Sequence, residues 1–190
     1  MKTTIETTEV ELRGLIAFAH NEPASRHMHG VIVSEGRLAA VSPFALAIRG
    51  EPTLPWVERT IIPYRAIAAA CVEHDAGSSG CDWDNEYDLS DDVTIDIDGE
   101  SFALTRISTS AIITITGAVH EVMCPDLGMV VHGLREDALP QTLISPRVFG
   151  KLEALGGNSW RMEVAGEGQP VRFTSSDARW TVFAMPMRST

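Results

Sequence analysis

Two histidines and two aspartates have the spacing that comes nearest to a chemical site. His27 and His29 are two apart, as metal ligands on one face of a strand would be. Asp96 and Asp98 alternate in the same way just before a glycine. No further ligand can be tied to either pair from the sequence, so we interpret them as ordinary strand and loop residues. The chain also lacks a glycine-rich phosphate loop and the GxSxG and HExxH motifs. It therefore predicts a protein that is not an enzyme and needs no metal or cofactor.

The three cysteines fit a reduced, cytoplasmic protein. Cys71, Cys81 and Cys124 form no CxxC pair, so we expect free thiols rather than disulfides or a zinc site. The N-terminal residues are polar and alternating, and no apolar run approaches the roughly 20 residues that cross a bilayer. We expect a cytoplasmic location and no membrane partner.

The end of the chain combines an apolar strand with a short methionine-rich segment. The strand candidate 179–185 ends in Met185 and is followed by Pro186, Met187 and Arg188. Methionine is unbranched and polarizable and repacks around different ligands, whereas proline keeps the backbone extended and removes a ladder donor. We interpret this end as half of an apolar groove that receives short peptides from other proteins.

The elements that must position this end form one pattern repeated three times. Each unit is predicted as a strand, a helix and three further strands, which makes the fold class α+β. The predicted helices lie at about 9–20, 65–74 and 147–155. In the third helix we expect these residues to face inward: Val148, Phe149, Leu152 and Leu155. The strand candidates are 3–6, 29–34, 37–42, 44–50, 58–64, 93–99, 100–108, 110–119, 141–146, 159–166, 170–176 and 179–185. The pairs Glu35-Gly36 and Asp98-Gly99 predict tight turns between neighbouring strands.

The repeat divides the chain into one full domain and one half-domain. Residues 1–120 are predicted as a domain of two units, 1–57 and 58–120, and residues 121–140 as a connector. Residues 141–190 form the third unit. Two units side by side can cover their helices and sheets, but a third is left with an open sheet edge. The sequence therefore predicts a homo-oligomer.

Three segments carry a resemblance to a known family. LAAVSPFALAI (38–48), RTIIPYRAIAAACV (59–72) and the terminal FAMPMR (183–188) are similar to segments of bacterial DNA sliding clamps, the beta subunit of DNA polymerase III. The resemblance implies the DNA-clamp fold, with three βαβββ units and helices on one face of antiparallel sheets. It also implies a ring around duplex DNA that tethers a polymerase and performs no chemistry. Such rings contain roughly twelve units, so three units per chain favour about four copies. The short chain indicates a phage-like source.

The resemblance also implies which residues line the peptide groove. The family's Asp-Gly-His-Arg is replaced here by Ser42, Pro43, Phe44 and Ala45, so the polar lip of the groove becomes apolar. The pocket residues are predicted to be Val41, Pro43, Phe44, Leu46, Met185, Pro186, Met187 and Arg188. Their expected partners are DNA polymerase and other proteins that carry a clamp-binding peptide. The need for a clamp loader stays open.

Duplex DNA is the other expected partner, although the formal net charge is −11. Much of that charge lies in one acidic segment, 82–92, within the insertion 77–92, which should point away from DNA. Lysine and arginine on the helices would reach phosphates without reading sequence. The predicted DNA-binding residues are Arg13, Arg26, Arg65, Arg147 and Lys151. The alternative is a clamp-derived adaptor or competitor that binds replication or repair proteins and does not encircle DNA.

Overall fold

The structure is a computed structural model, and it describes ten stretches of the chain. They are residues 2–19, 29–34, 36–43, 45–50, 59–71, 91–109, 111–120, 144–156, 159–164 and 169–186. Within them the chain forms two antiparallel sheets and three helices. The α+β prediction is confirmed.

Each helix follows a strand or turn and is followed by three strands. The first unit contains β1 (Lys2–Thr8), α1 (Glu9–Phe18), β2 (Gly30–Ser34), β3 (Arg37–Ser42) and β4 (Ala45–Arg49). The second contains β5 (Thr60–Pro63), α2 (Tyr64–Ala70), β6 (Asp92–Asp98), β7 (Ser101–Ile107) and β8 (Ile112–Ala118). The third contains α3 (Arg147–Ala154), β9 (Trp160–Val164), β10 (Val171–Ser175) and β11 (Trp180–Ala184).

Local sequence determines where these elements begin and turn. Thr8 caps α1 in a capping box, because its hydroxyl accepts from the Glu11 amide while the Glu11 carboxylate accepts from the Thr8 amide. Two hairpin turns place a glycine at positive φ, Gly36 at 81° and Gly99 at 58°, which glycine adopts without a Cβ clash. The turn predicted at Asp98 and Gly99 is confirmed, since Asp98 pairs with Ser101 across it.

The first two units exchange their leading strands. One sheet has the order β1-β6-β7-β8, so β1 of the first unit extends the strands of the second. The other sheet has the order β5-β2-β3-β4-β11-β10-β9, so β5 of the second unit extends the strands of the first. Helices α1 and α2 contact each other. Each of these two units thus completes its neighbour.

The third unit joins the edge of the first unit rather than that of the second. Strand β11 pairs antiparallel with β4 along its whole length, from Trp180 opposite Arg49 to Ala184 opposite Ala45. Helix α3 contacts α1 on the same side. In the described residues, α1 therefore lies between α2 and α3.

One hydrophobic cluster joins the helices to both sheets. Leu12, Leu15 and Phe18 of α1 are fully buried in it, and Trp180 of β11 is 1% exposed. A second, smaller cluster lies on alternate residues of the seven-stranded sheet. Its buried members are Ile32, Ala39, Leu46, Ile48, Ile61 and Phe183. The central strands of this sheet are therefore buried on both faces.

Several sequence predictions differ from the structure in detail. The prediction that Phe149 faces inward is wrong, because its side chain is 53% exposed while Val148, Leu152 and Leu155 are buried. On a helix of 3.6 residues per turn, Phe149 is turned about 100° from Val148, whereas Leu152 and Leu155 lie within about 40° of it. The helix predicted at 65–74 ends at Ala70 within the described residues. The strand predicted at 141–146 is not formed at Ile144 or Ser145.

No helix among these residues is long and apolar enough to cross a membrane.

Candidate peptide-binding and nucleic-acid interface

The β4–β11 pairing brings the two halves of the predicted peptide groove together. Leu46 of β4 lies directly opposite Phe183 of β11, and Ala45 lies opposite Ala184. Met185 and Pro186 follow Ala184 immediately, and both are half-buried. The chain's last described residues thus begin beside the start of β4, although 137 residues separate Leu46 from Phe183 in sequence.

The hairpin between β3 and β4 forms the other rim. Val41 pairs with Leu46 and Ser42 with Ala45. The Ser42 hydroxyl accepts from the Ala45 amide at 3.2 Å and lies 3.3 Å from the Ala45 carbonyl, to which it donates. These bonds tighten the turn, so Pro43 is exposed at its tip. The hairpin holds a rigid apolar corner next to the end of β11.

The floor of the groove is a row of side chains across three strands. Val41, Leu46 and Phe183 are paired in register and belong to one cluster, with Leu46 at 2% and Phe183 at 1% exposure. Leu46 therefore supports the groove from below, while Val41 is the partly exposed member of the row. Phe183 was missed by sequence reasoning. Its signal was its position two residues before Met185, which places both on the same side of an extended chain.

Five of the eight predicted pocket residues can be placed. Val41, Pro43, Leu46, Met185 and Pro186 fall within the described stretches. Phe44, Met187 and Arg188 lie outside the described residues.

A buried carboxylate fastens the third unit to the first at the end of β4 and β11 that is remote from this groove. Glu11 of α1 is 4% exposed and lies 3.1 Å from the Arg49 guanidinium and 3.6 Å from that of Arg179. Thr7 donates a hydrogen bond of 2.7 Å to the same carboxylate. Arg49 is on β4 and Arg179 immediately precedes β11, so Glu11 holds the two strands together at the end remote from Met185. Nothing in the sequence identified this cluster, because its members are far apart along the chain.

The helices contact one another closely enough to form one layer. A Cβ on Gly14 of α1 would stand 2.8 Å from the Ala154 carbonyl oxygen and 2.8 Å from Leu155 Cδ2. Only glycine permits this approach of α1 to the end of α3. The three helices therefore lie side by side, with α1 in the middle. Their outward-facing residues are called the helix row below.

Most of the predicted DNA-binding residues lie on that row. Arg13, Arg65 and Arg147 are exposed, one on each helix. Lys151 is half-buried, and its ammonium stands 5.4 Å from the centroid of the Phe18 ring. Burial lowers the pKa of Lys151. Arg26 lies outside the described residues.

The charge of the helix row is opposite to that of the chain. Glu9 and Glu11 are buried, so the charged helix residues that reach the surface are the four basic ones just named and Glu153. The chain as a whole has 15 basic and 26 acidic residues. A locally basic surface can attract phosphates even when the protein carries net negative charge.

Arg106 is the centre of a second, largely buried ionic cluster. Arg106 bridges Glu9 at 2.9 Å and Asp91 at 2.6 Å. Beside it, burial raises the pKa of the Cys71 thiol from 9.0 to about 11, an effect that Glu9 reinforces and that Arg106 and Arg13 oppose. Among the described residues no group of three or more His, Cys, Asp or Glu side chains is arranged to hold a metal ion.

Solved structures share this arrangement over nearly the whole chain. A candidate DNA polymerase III beta subunit from Eubacterium rectale superposes with a TM-score of 0.67 at 9% identity, and the DNA polymerase sliding clamp of Pseudomonas aeruginosa with 0.62 at 16%. The Helicobacter pylori beta clamp, solved with a DNA ligase peptide, gives 0.62 at 9%. The fold is that of the DNA sliding clamps. Each comparison covers 98% of this chain and 66% of the other.

The clamp fold is visible in structure and not in sequence comparison. No family model matches the sequence, and no curated protein matches it. The chain spans just under two thirds of the length of these three clamps. A structural similarity at 9–16% identity to these clamps establishes the fold and not the function.

Proposed function

We propose that this protein is a short DNA sliding clamp, a processivity factor that encircles duplex DNA as a homo-oligomeric ring and tethers a DNA polymerase. The observation that carries the proposal is the pairing of β4 with β11, because it unites the hairpin at 41–46 with the methionine-containing end of the chain. The row of Val41, Leu46 and Phe183 would form the apolar floor of this groove. A short peptide with apolar side chains would fit it.

The helix row supports the second part of the proposal. Arg13, Arg65 and Arg147 are separated along the row, one to a helix, so they would touch successive phosphates rather than one site. Few phosphate contacts give weak, salt-sensitive binding that permits sliding. The protein would act as an accessory subunit, without catalytic residues of its own.

The proposed partners follow from the two surfaces. Duplex DNA would lie along the helices without sequence preference, and polymerase tails would bind the groove. The Helicobacter clamp has been solved with a DNA ligase peptide, so repair proteins are further partners of the same kind. About four copies of this chain would supply the roughly twelve units of a ring.

One observation favours the adaptor alternative. Strand β4 is flanked by β3 and β11 of the same chain, so one copy supplies both sides of the predicted groove. Such a chain could bind peptides as a monomer and compete with a larger clamp without encircling DNA.

Retention on DNA separates the two functions. Purified protein and its polymerase-tail peptide are loaded on nicked circular DNA and passed over a sizing column. A ring remains with the circle and is lost when the DNA is linearised. Peptide binding with no retention on circular DNA at low salt supports the adaptor and contradicts the ring.

A further inference from the structure

The third unit lacks two partners that the first and second units give each other. Strand β1 pairs with β6, β5 pairs with β2, and α1 contacts α2. Strand β9 holds the position of β2 and β6 in its unit, yet among the described residues its one neighbour is β10. The segment before α3 holds the position of β1 and β5, yet Ile144 and Ser145 are in no strand.

The side of α3 remote from α1 exposes Phe149 and, one helical turn later, Glu153. Lys151 marks the side toward α1, because it stands over Phe18. Phe149 is two residues earlier, about 200° around the helix axis, and so lies on the opposite side. Its ring is 53% exposed and meets the buried Phe173 edge-on, with centroids 6.0 Å apart.

Strand β9 continues this apolar surface to the sheet edge. Met162 lies opposite Phe173 in register and is 55% exposed. Trp160 and Val164 alternate with it and pack against the main core. The inner side of β9 therefore carries no charged residue, while Arg161 and Glu163 point to the other face. The hydrophobic core therefore reaches the surface at Phe149 and Met162, which both adjoin the buried Phe173.

We propose that the third unit of a second copy completes this open side. Two third units related by a two-fold axis would pack their α3 helices together, as α1 and α2 do. Each would place the segment before α3 against the β9 edge of the other, as β1 and β5 do within one chain. The unpaired β9 edge of one copy would thus meet the unpaired segment before α3 of the other copy. The surface is the exposed end of the protein's own core, so the same surface of another copy is the occupant that continues it.

This inference rests on the proposed function, since it specifies how the copies of a ring first associate. Two chains joined in this way hold six units in a row, with a β8 edge at each end. Strand β8 has no charged residue and no proline over its seven residues, and its Ile112 is 70% exposed. Such an edge is free to pair, which leaves it for closure of the ring and supplies a matched control for the experiment.

Sedimentation equilibrium on three proteins tests the contact. We expect wild type to form dimers or larger even-numbered assemblies. The double variant Phe149→Glu/Met162→Glu should raise the dimer dissociation constant at least about tenfold, because two charges would enter an apolar contact. Ile112→Glu introduces the same charge at an exposed isoleucine on β8 and should keep the dimer. Far-UV circular dichroism should be the same for all three.

Hydrogen exchange provides a readout that needs no variant. The amides of β9 should exchange more slowly in concentrated than in dilute wild-type protein, while those of the exposed loop at Gly99 and Glu100 should not change. A wild type that stays monomeric at about 100 µM, a double variant that assembles like wild type, or β9 amides that ignore concentration would each overturn the proposal.

The outcomes also distinguish this contact from the proposed function. If dimers form through β9 but no DNA is retained on circles, the contact stands and the sliding-clamp function fails. If DNA is retained equally by wild type and by Phe149→Glu/Met162→Glu, the function stands and this contact is wrong.

Discussion

Leu46 and Phe183 lie directly opposite each other on β4 and β11, and both are almost completely buried. This one pair joins the first unit to the third and sets the position of the chain's methionine-rich end. Everything proposed for peptide binding depends on it, because the groove has one rim on each of the two strands.

The groove makes a direct prediction for Met185. Replacing Met185 with alanine removes a flexible side chain from the rim, so we expect at least a tenfold loss of affinity for a polymerase-tail peptide, with unchanged thermal unfolding. Titration of a fluorescent peptide measures the affinity. Ile112→Ala removes a similar apolar side chain from an exposed strand far from the groove and should bind the peptide normally. Equal affinity for Met185→Ala and wild type would show that the peptide binds elsewhere.

The approach of α1 to α3 predicts opposite effects for two glycines. A methyl group at Gly14 meets the Ala154 carbonyl oxygen at 2.8 Å, so Gly14→Ala should destabilise the protein by roughly 1–3 kcal/mol. Gly150 is exposed in α3 with nothing within 4 Å of its missing Cβ. Gly150→Ala should therefore stabilise it by about 0.5–1 kcal/mol through helix propensity. Urea unfolding measures both. A neutral Gly14→Ala would mean that the helices do not meet at this point.

The buried carboxylate of Glu11 predicts that the attachment of the third unit to the first depends strongly on this one charge. Removing it in Glu11→Ala leaves Arg49 and Arg179 without their shared partner and should cost about 3 kcal/mol of unfolding free energy. Glu100→Ala removes an exposed acidic side chain and should change stability by less than about 0.5 kcal/mol. Chemical denaturation compares the two variants. Equal losses would contradict the role of Glu11 as the fastening of β4 to β11.

These results show how far the sequence alone could lead. The apolar runs of β2, β3 and β4 predicted strands, and their bounds agree with the structure to within one residue. The turns at Gly36 and Gly99 were predicted from glycine's access to positive φ. Such local signals lie within a few neighbouring residues, and these can be interpreted without knowing the fold.

The long-range relationships could not be predicted in the same way. That β11 pairs with β4 depends on which of several similar apolar edges meet, and alternation alone does not choose between them. The Glu11 cluster joins residues 38 and 168 positions apart, which no spacing rule connects. Phe149 was assigned to the core with Val148, Leu152 and Leu155, yet the helix period turns it to the open side of the third unit.

The helix row predicts a salt-dependent interaction with DNA. Arg65→Gln and Arg147→Gln should each weaken retention on circular DNA and reduce the slope of log affinity against log salt by about one. Lys2→Gln removes an exposed positive charge from strand β1, outside the helices, and should leave the slope unchanged. Fluorescence anisotropy with duplex DNA at several salt concentrations gives the slopes. If Lys2→Gln has the same effect as the helix variants, the helices do not form the DNA-binding surface.

The buried thiol of Cys71 predicts a loss of stability at alkaline pH. Its pKa is about 11 in the folded protein and 9.0 when unfolded, so between these values the folded state holds a proton that the unfolded state has lost. Stability should therefore be complete below pH 9 and fall as pH rises toward 11, by a contribution on the order of 2 kcal/mol.

Comparison of Cys71 with alanine at this position isolates that contribution. Urea unfolding is followed at several pH values in wild type and Cys71→Ala, both with Cys81 and Cys124 replaced by serine. The stability difference between the two proteins should shrink between pH 9 and 11. A difference that stays constant with pH would show that the thiol does not remain protonated in the fold.

Electron microscopy of the assembled protein on a short duplex tests the central claim most directly. The account predicts a closed ring of several copies with the helices on its inner side and the duplex passing through the hole. Particles in which the chain is an isolated globule, or in which DNA lies against the sheets on the outside, would contradict it.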